Sequence, residues 1–201
     1  MIRRHRIFFA MAALLAVFTS PLPKISLAAD VPFPKNLLDD LRSKDQSIRL
    51  SAVQAIKPYR ELTSLPVLER ILVVDPDTGV KIAAAVSLGQ LKEPASREGL
   101  INGLLFDSSG LVRFRCGEAL SMLGVNRDEK QAFLRGLEDP DKRVRYISLH
   151  AISSKVQDSD ISLIADLLAD DSTVVRELAH QILSKRGIVL EKIGDRYRMV
   201  K

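Results

Sequence analysis

The chain has 201 residues, 46% hydrophobic and 27% charged, which fits one ordinary globular domain. A pI near 9.4 and a net charge of +5 invite a nucleic-acid reading, but residues 1–29 hold Arg3, Arg4, Arg6 and Lys24 and no acid. Without them 26 bases face 25 acids, and a net of +1 lacks the field that nonspecific phosphate binding needs, so nucleic acid is excluded as a partner.

Residues 1–29 have the build of a secretory signal. The three arginines form a basic start, Ile7–Phe18 is an apolar run of 12 residues, and Ser26-Leu-Ala28-Ala29 supplies small residues for cleavage near Ala28 or Ala29. The run is short for a membrane span, which needs about 20 residues, so membrane contact is expected only through an uncleaved signal. The mature protein is expected to be exported, periplasmic or secreted. Val31-Pro-Phe-Pro34 then reads as an extended lead-in, with Pro34 suited to a helix start.

From here to about Gly187 one pattern occurs five times. Anchored on a β-branched residue followed by a base, the copies fall at Ile48-Arg49, Val80-Lys81, Val112-Arg113, Val144-Arg145 and Val175-Arg176, at intervals of 32, 32, 32 and 31 residues. So regular a period predicts an all-α, right-handed solenoid of about five two-helix repeats, near 35–60, 65–92, 97–124, 129–154 and 160–187. The first helices are predicted at Lys35–Leu41, Leu65–Val74, Arg97–Phe106, Glu129–Leu137 and Asp160–Ala169. Three residues before each anchor stand Asp45, Asp77, Ser109, Asp141 and Ser172, all able to cap a helix start with a side-chain oxygen. Asp75, Asp107, Asp139 and Asp170 recur five residues before their anchors. The second helices are predicted to bury the residues three, four, seven and eight past the anchor. Pro58, Gly124 and Gly187 read as their stops.

Cys116, the single cysteine, falls four residues past Val112, where other copies hold Ala52, Ala84, Ser148 and Ala179, so it reads as a packed, unreactive thiol. Residues 188–201 change period: Ile188–Ile193 and Arg196–Lys201 around Gly194-Asp195 predict either a hairpin capping the last unit or a frayed tail.

The Asp-x-x-x-x-Val-Arg-x-x-Ala pattern, clearest in Asp75–Gly89, Asp107–Gly124 and Asp139–Ser153, resembles the short HEAT-like repeats named for phycobilisome lyases. The resemblance implies that second helices line the concave side and that an Asp/Arg ladder joins the units. It would comprise Asp75, Asp107, Asp139 and Asp170 with Arg49, Lys81, Arg113, Arg145 or Arg176. Ser43 replaces the turn aspartate in the first copy, which leaves that rung open. Activity does not follow from such a scaffold. The related iron-binding hydroxylases use His-Glu pairs, and no His-Glu dipeptide occurs here; no cofactor or metal is expected.

Function is read from one cluster. Arg113, Phe114, Arg115, Arg143, Arg145, Tyr146 and His150 lie on successive second helices, and arginine with aromatics is the composition of a binding-surface centre. Such a surface suits another protein, one with an acidic segment among the options, through charge-assisted hydrogen bonds. The alternative is that Arg113 and Arg145 serve only as ladder rungs. The expected function is thus an exported, non-enzymatic scaffold gripping a partner on the concave second-helix face. An accessory lyase of the kind the resemblance suggests is the alternative.

Overall fold

A computed structural model describes residues 35–56, 64–194 and 196–200. The expected signal peptide, its cleavage site, the Val31–Pro34 lead-in, the Pro58 stop and Asp195 of the turn fall outside the described residues.

The described residues form an all-α solenoid of five two-helix units followed by a β-hairpin. The units are α1 (Lys35–Asp40) with α2 (Gln46–Ala55), α3 (Ser64–Val74) with α4 (Thr78–Leu91), and α5 (Arg97–Phe106) with α6 (Gly110–Met122). Then come α7 (Arg127–Gly136) with α8 (Lys142–Ile152), and α9 (Ile161–Asp166) with α10 (Thr173–Lys185). Second helices pack in series, α2 on α4, α4 on α6, α6 on α8 and α8 on α10, while α3, α5 and α7 form a looser row behind them. In neither row can one unit cover its own apolar side, so the core is continuous from Leu37 to Leu183.

Local chemistry sets the element boundaries. Pro66 sits in the first turn of α3, where its missing N–H costs nothing. Asn126 caps α7 in a capping box: its side chain accepts from Asp128 N and Glu129 N, and Glu129 returns a carboxylate to Asn126 N. Gly187, at φ +78°, closes α10 in a Schellman motif, with Gly187 N donating to Ser184 O and Ile188 N to Leu183 O. Gly124 has φ +80°, whereas α4 ends on the non-glycine Lys92 at φ 56°, which nothing in its sequence had marked.

Burial follows the anchor. Val80, Val112, Val144 and Val175 are fully buried, as are the residues eight further on, Leu88, Leu120, Ile152 and Leu183. The fourth place holds Ala52, Ala84, Cys116, Ser148 and Ala179, all buried, and its small side chains let neighbouring second helices close up. At Gly89 a methyl group would lie 2.8 Å from Ala119 Cβ, so α4 and α6 meet there almost backbone to backbone. The third place departs from expectation. Ile147 is buried there, but Ser51 is exposed and Ala83, Arg115 and Leu178 are half-exposed, because this position faces out over the seam between second helices. Ile48 stays 43% exposed, since no described unit precedes its own.

The tail is a hairpin, β1 (Leu190–Ile193) antiparallel to β2 (Arg196–Met199), with Gly194 at φ +65° in the turn. It lies over the last unit. The Tyr197 ring sits 4.2 Å from that of His180, and its hydroxyl donates to Glu177 Oε1 at 3.0 Å.

Candidate interaction face

Along one edge of the solenoid each turn aspartate does two things. Asp75, Asp107, Asp139 and Asp170 accept the amide two residues on, at 2.7–2.9 Å, which shapes their own turn. Each also receives a cation from the preceding unit. Arg49 reaches Asp75 through Nε and Nη2 at 2.8 and 3.0 Å, Arg113 reaches Asp139 at 2.7 and 2.8 Å, and Arg145 reaches Asp170 at 2.7 and 2.9 Å. Lys81 makes a single contact with Asp107 at 2.8 Å. The remaining guanidinium nitrogen bonds back to its own turn, Arg113 Nη1 to Asp107 O and Arg145 Nη1 to Asp139 O, both at 2.9 Å. A planar fork with a third donor fits this three-way junction; an ammonium cannot fill it alike. The side-chain hydrogen bond to Asp139 raises the Arg113 pKa further above its ordinary value, and that to Asp170 does the same for Arg145.

Arg176 bonds the carbonyls of Asp170 and Asp171, in its own turn. In the first unit Ser43 Oγ accepts the Asp45 amide at 3.1 Å, in place of the absent aspartate.

The capping serines need correction. Asp45, Asp77 and Asp141 accept helix amides through their side chains, from Ser47, Val80 and Arg143. Ser109 and Ser172 occupy N-cap positions with extended backbone, but their hydroxyls make no capping bond. There the turn aspartates Asp107 and Asp170 already hold the serine amides, which fixes the turn without the hydroxyl.

A second row of pairs runs along the opposite edge, and the repeat pattern gave no sign of it. Arg97 pairs with the fully buried Glu129 and also donates to Leu123 O and Gly124 O. Lys130 meets Asp160 at 2.7 Å, and Arg186 reaches Asp158 and, at 2.9 Å, Val156 O. The one sequence signal was the Asn126-x-x-Glu129 spacing, a capping box whose glutamate is then free on its other oxygen.

Between these edges, the residues one before and two, three and six past each anchor share one side of the second helix, by helical spacing. Among the predicted site residues, this side holds Phe114, Arg115, Arg143, Tyr146 and His150, while Arg113 and Arg145 are turned away into the ladder. Across five units these four places carry only two cations, Arg115 and Arg143, and two anions, Glu118 and Glu177. Each is engaged within the chain: Arg115 with Glu118 at 2.7 Å, Arg143 with Asp141 at 2.6 Å, and Glu177 with the Tyr197 hydroxyl. The rest is neutral, including Ile82, Val86, Leu111 and Val174. The Tyr146 and His150 rings stack at 6.0 Å, and the Arg115 guanidinium lies 5.3 Å from the centre of the Phe114 ring. A groove of about 360 Å³ crosses this face, lined by Val86, Gln90, Arg115, Glu118, Met122 and His150. Arg115 Nε is buried at its side without an acceptor.

Neither histidine after residue 29 takes part in a metal cluster among the described residues, His150 standing against Tyr146 and His180 against Tyr197. Burial pushes the Cys116 thiol up to about 12, with Asp107 adding to the effect. No described helix is long and apolar enough to cross a membrane.

A family model for HEAT repeats matches residues 34–121. Among solved structures the chain is similar to one from the complex of CpcE and CpcF of phycocyanin lyase from Nostoc sp. PCC7120. That likeness has 16% identity and a TM-score of 0.56 over 73% of this chain and 95% of that one. It is similar to E. coli YibA at 17% identity and TM-score 0.57, over 97% of this chain and 67% of that one. It is also similar to Kap121p bound to Ste12p at 19% identity and TM-score 0.53, over 76% of this chain and 18% of that one. No curated protein matches it in sequence. With five stacked two-helix units in view, these likenesses establish the fold as a HEAT-like repeat solenoid.

Proposed function

We propose that this chain is an exported scaffold that grips a segment of another protein along its second-helix face, by shape and apolar contact and without bond chemistry. The observation that carries this reading is the contrast between the faces. In a chain where 27% of residues are charged, the second-helix side is electrically neutral, rimmed by aromatic and aliphatic groups and crossed by a groove. Charged residues concentrate instead on the first helices and the two ladder edges. A solvated face of a repeat protein has no reason to shed its charge, whereas an interface core does. Arginine is engaged here as a flat cover on Phe114 rather than as a free cation, so the preferred segment is neutral and apolar. Solenoids of this fold occur in protein complexes, CpcE with CpcF and Kap121p with Ste12p, which supports the reading at the level of fold. The export part rests on the basic, apolar and small-residue order of residues 1–29.

A photo-reactive amino acid placed at Met122 should cross-link one protein in intact cells, and the same group at Asn102, on a first helix, should not. Tyr146→Ala should weaken that complex roughly ten-fold or more, as loss of a central aromatic does. Equal yields from both positions, or an affinity indifferent to Tyr146, would refute the assignment. Sequencing the N-terminus of the cellular protein tests export: a start at Ala29 or Asp30 is expected, and a retained Met1 would contradict it.

A further inference from the structure

A second groove, unrelated to the second-helix face, lies on the first-helix side between the first two units. It measures about 760 Å³, roughly twice the other. Its floor is apolar, built by Leu38 of α1 and Val67, Ile71 and Val74 of α3. Three cations rim it from three different backbone positions: Arg42 after α1, Lys44 in the turn before α2, and Arg70 on α3. All three are exposed, and none makes an ion pair or side-chain hydrogen bond. The single acid in the lining is Asp75, and Arg49 holds it on both oxygens. Asp40 is turned to a separate hollow with Ser47 and Ile48. The groove is therefore an apolar trough under unneutralised positive charge, in a mature chain that is otherwise close to neutral. Its apolar character runs on into the next unit: Val74 and Phe106, 32 residues apart and each just before a turn aspartate, are 63% and 73% exposed.

We infer that this trough receives a segment of a partner protein in which carboxylates flank bulky apolar side chains. Apolar groups would cover Val67, Ile71 and Val74, and the carboxylates would meet Arg42, Lys44 and Arg70 in charge-assisted contacts. Cations spread over three elements along a trough match a row of carboxylates better than a single anionic headgroup. The acidic partner expected of Arg113 and Arg145 thus has its free cations here, since those two arginines already hold Asp139 and Asp170.

The test uses the whole chain and two synthetic peptides, one alternating leucine and phenylalanine with glutamate, the other with glutamine for every glutamate. Fluorescence anisotropy should show saturable binding of the glutamate peptide and at least a roughly ten-fold weaker response from its counterpart. Arg42→Glu with Arg70→Glu should weaken the glutamate peptide by a similar factor, and Tyr146→Ala should leave it unchanged. Both arginines are exposed and unpaired, so an unchanged urea midpoint is expected for that variant, and Arg42→Ala with Arg70→Ala serves if it shifts. Absence of saturable binding, equal binding of both peptides, or loss through Tyr146→Ala overturns the inference. So does a trough that binds laurate or phosphatidylglycerol vesicles, through the same arginines, in preference to the peptide.

Discussion

Replacing Arg113 by methionine isolates one rung of the ladder. Methionine keeps most of the side chain's length and apolar stem, so the change removes chiefly the fork. It deletes two bonds to Asp139, at 2.7 and 2.8 Å, and two to the carbonyls of Asp107 and Ser108, at 2.9 and 3.3 Å. It leaves the Asp139 carboxylate, whose side chain is 10% exposed, facing a thioether. An uncompensated carboxylate at that depth costs about 3 kcal/mol, the lower end of what breaking a buried pair costs. A second substitution separates charge from geometry. Asp139→Asn keeps an oxygen for the Asp141 amide, now accepted by Oδ1 at 2.8 Å, while removing the charge. Arg113→Met with Asp139→Asn should therefore recover roughly half of the loss, a coupling of about 1.5 kcal/mol. Urea unfolding followed by far-UV circular dichroism at pH 7 measures both, with unchanged m-values as the control that the transition keeps its size. A single-variant cost below about 1 kcal/mol would place the rung among solvent-exposed pairs. Strict additivity would show that the two groups do not sense one another. Either result defeats the ladder as a structural device.

Further outcomes follow from other groups. Arg97→Met should cost about 3 kcal/mol by the same urea assay, because it strands the fully buried Glu129, whereas exposed Arg198→Met should change stability by less than about 0.5 kcal/mol. Gly89→Ala should destabilise by about 1 kcal/mol, the forced parting of α4 and α6 outweighing the gain in helix propensity, and a stabilised variant would disprove the close approach. The hydrogen bond from Arg143 holds the Asp141 carboxyl down at about 2. Asp160 and Asp170 also lie below 3.8: burial opposes this, but Lys130 and the Gln157 amide win at one, Arg145 and the Ser172 amide at the other. Since the unfolded chain then binds more protons, stability should be level above pH 4 and fall between about pH 4 and 2, and a loss beginning above pH 5 would contradict this. Cys116, buried with its thiol pushed up to about 12, should react with a disulfide reagent no faster than the chain unfolds.

The period, the turn aspartates and the anchor valines were legible because each belongs to one unit's own local chemistry, written out repeatedly. What a single unit cannot state is where its long side chains end. Arg113 and Arg145 were open to two readings because their carboxylates lie 26 and 25 residues away, in the next unit. The other edge stayed hidden for a related reason: Arg97, Glu129, Lys130 and Asp160 hold no fixed place relative to the anchors. Ser109 and Ser172 were misjudged as side-chain caps because a residue type suited to capping was present where a neighbouring aspartate had already ordered the turn. The neutrality of the second-helix face lay in the letters throughout. It became visible once Arg115 and Leu178, three past their anchors, proved to look outward rather than into the core.

Ser43 gives the array a preferred place to grow. Every interior turn offers an acid backward and, except after Lys81, a guanidinium forward, so a duplicated unit dropped in between Asp107 and Asp170 would find both ends complementary. A unit spliced in ahead of Ser43 would present its arginine to a hydroxyl that already serves the Asp45 amide. Recombination can thus lengthen this protein from the middle far more readily than from that end, and Ser43→Asp is the single change that would open it.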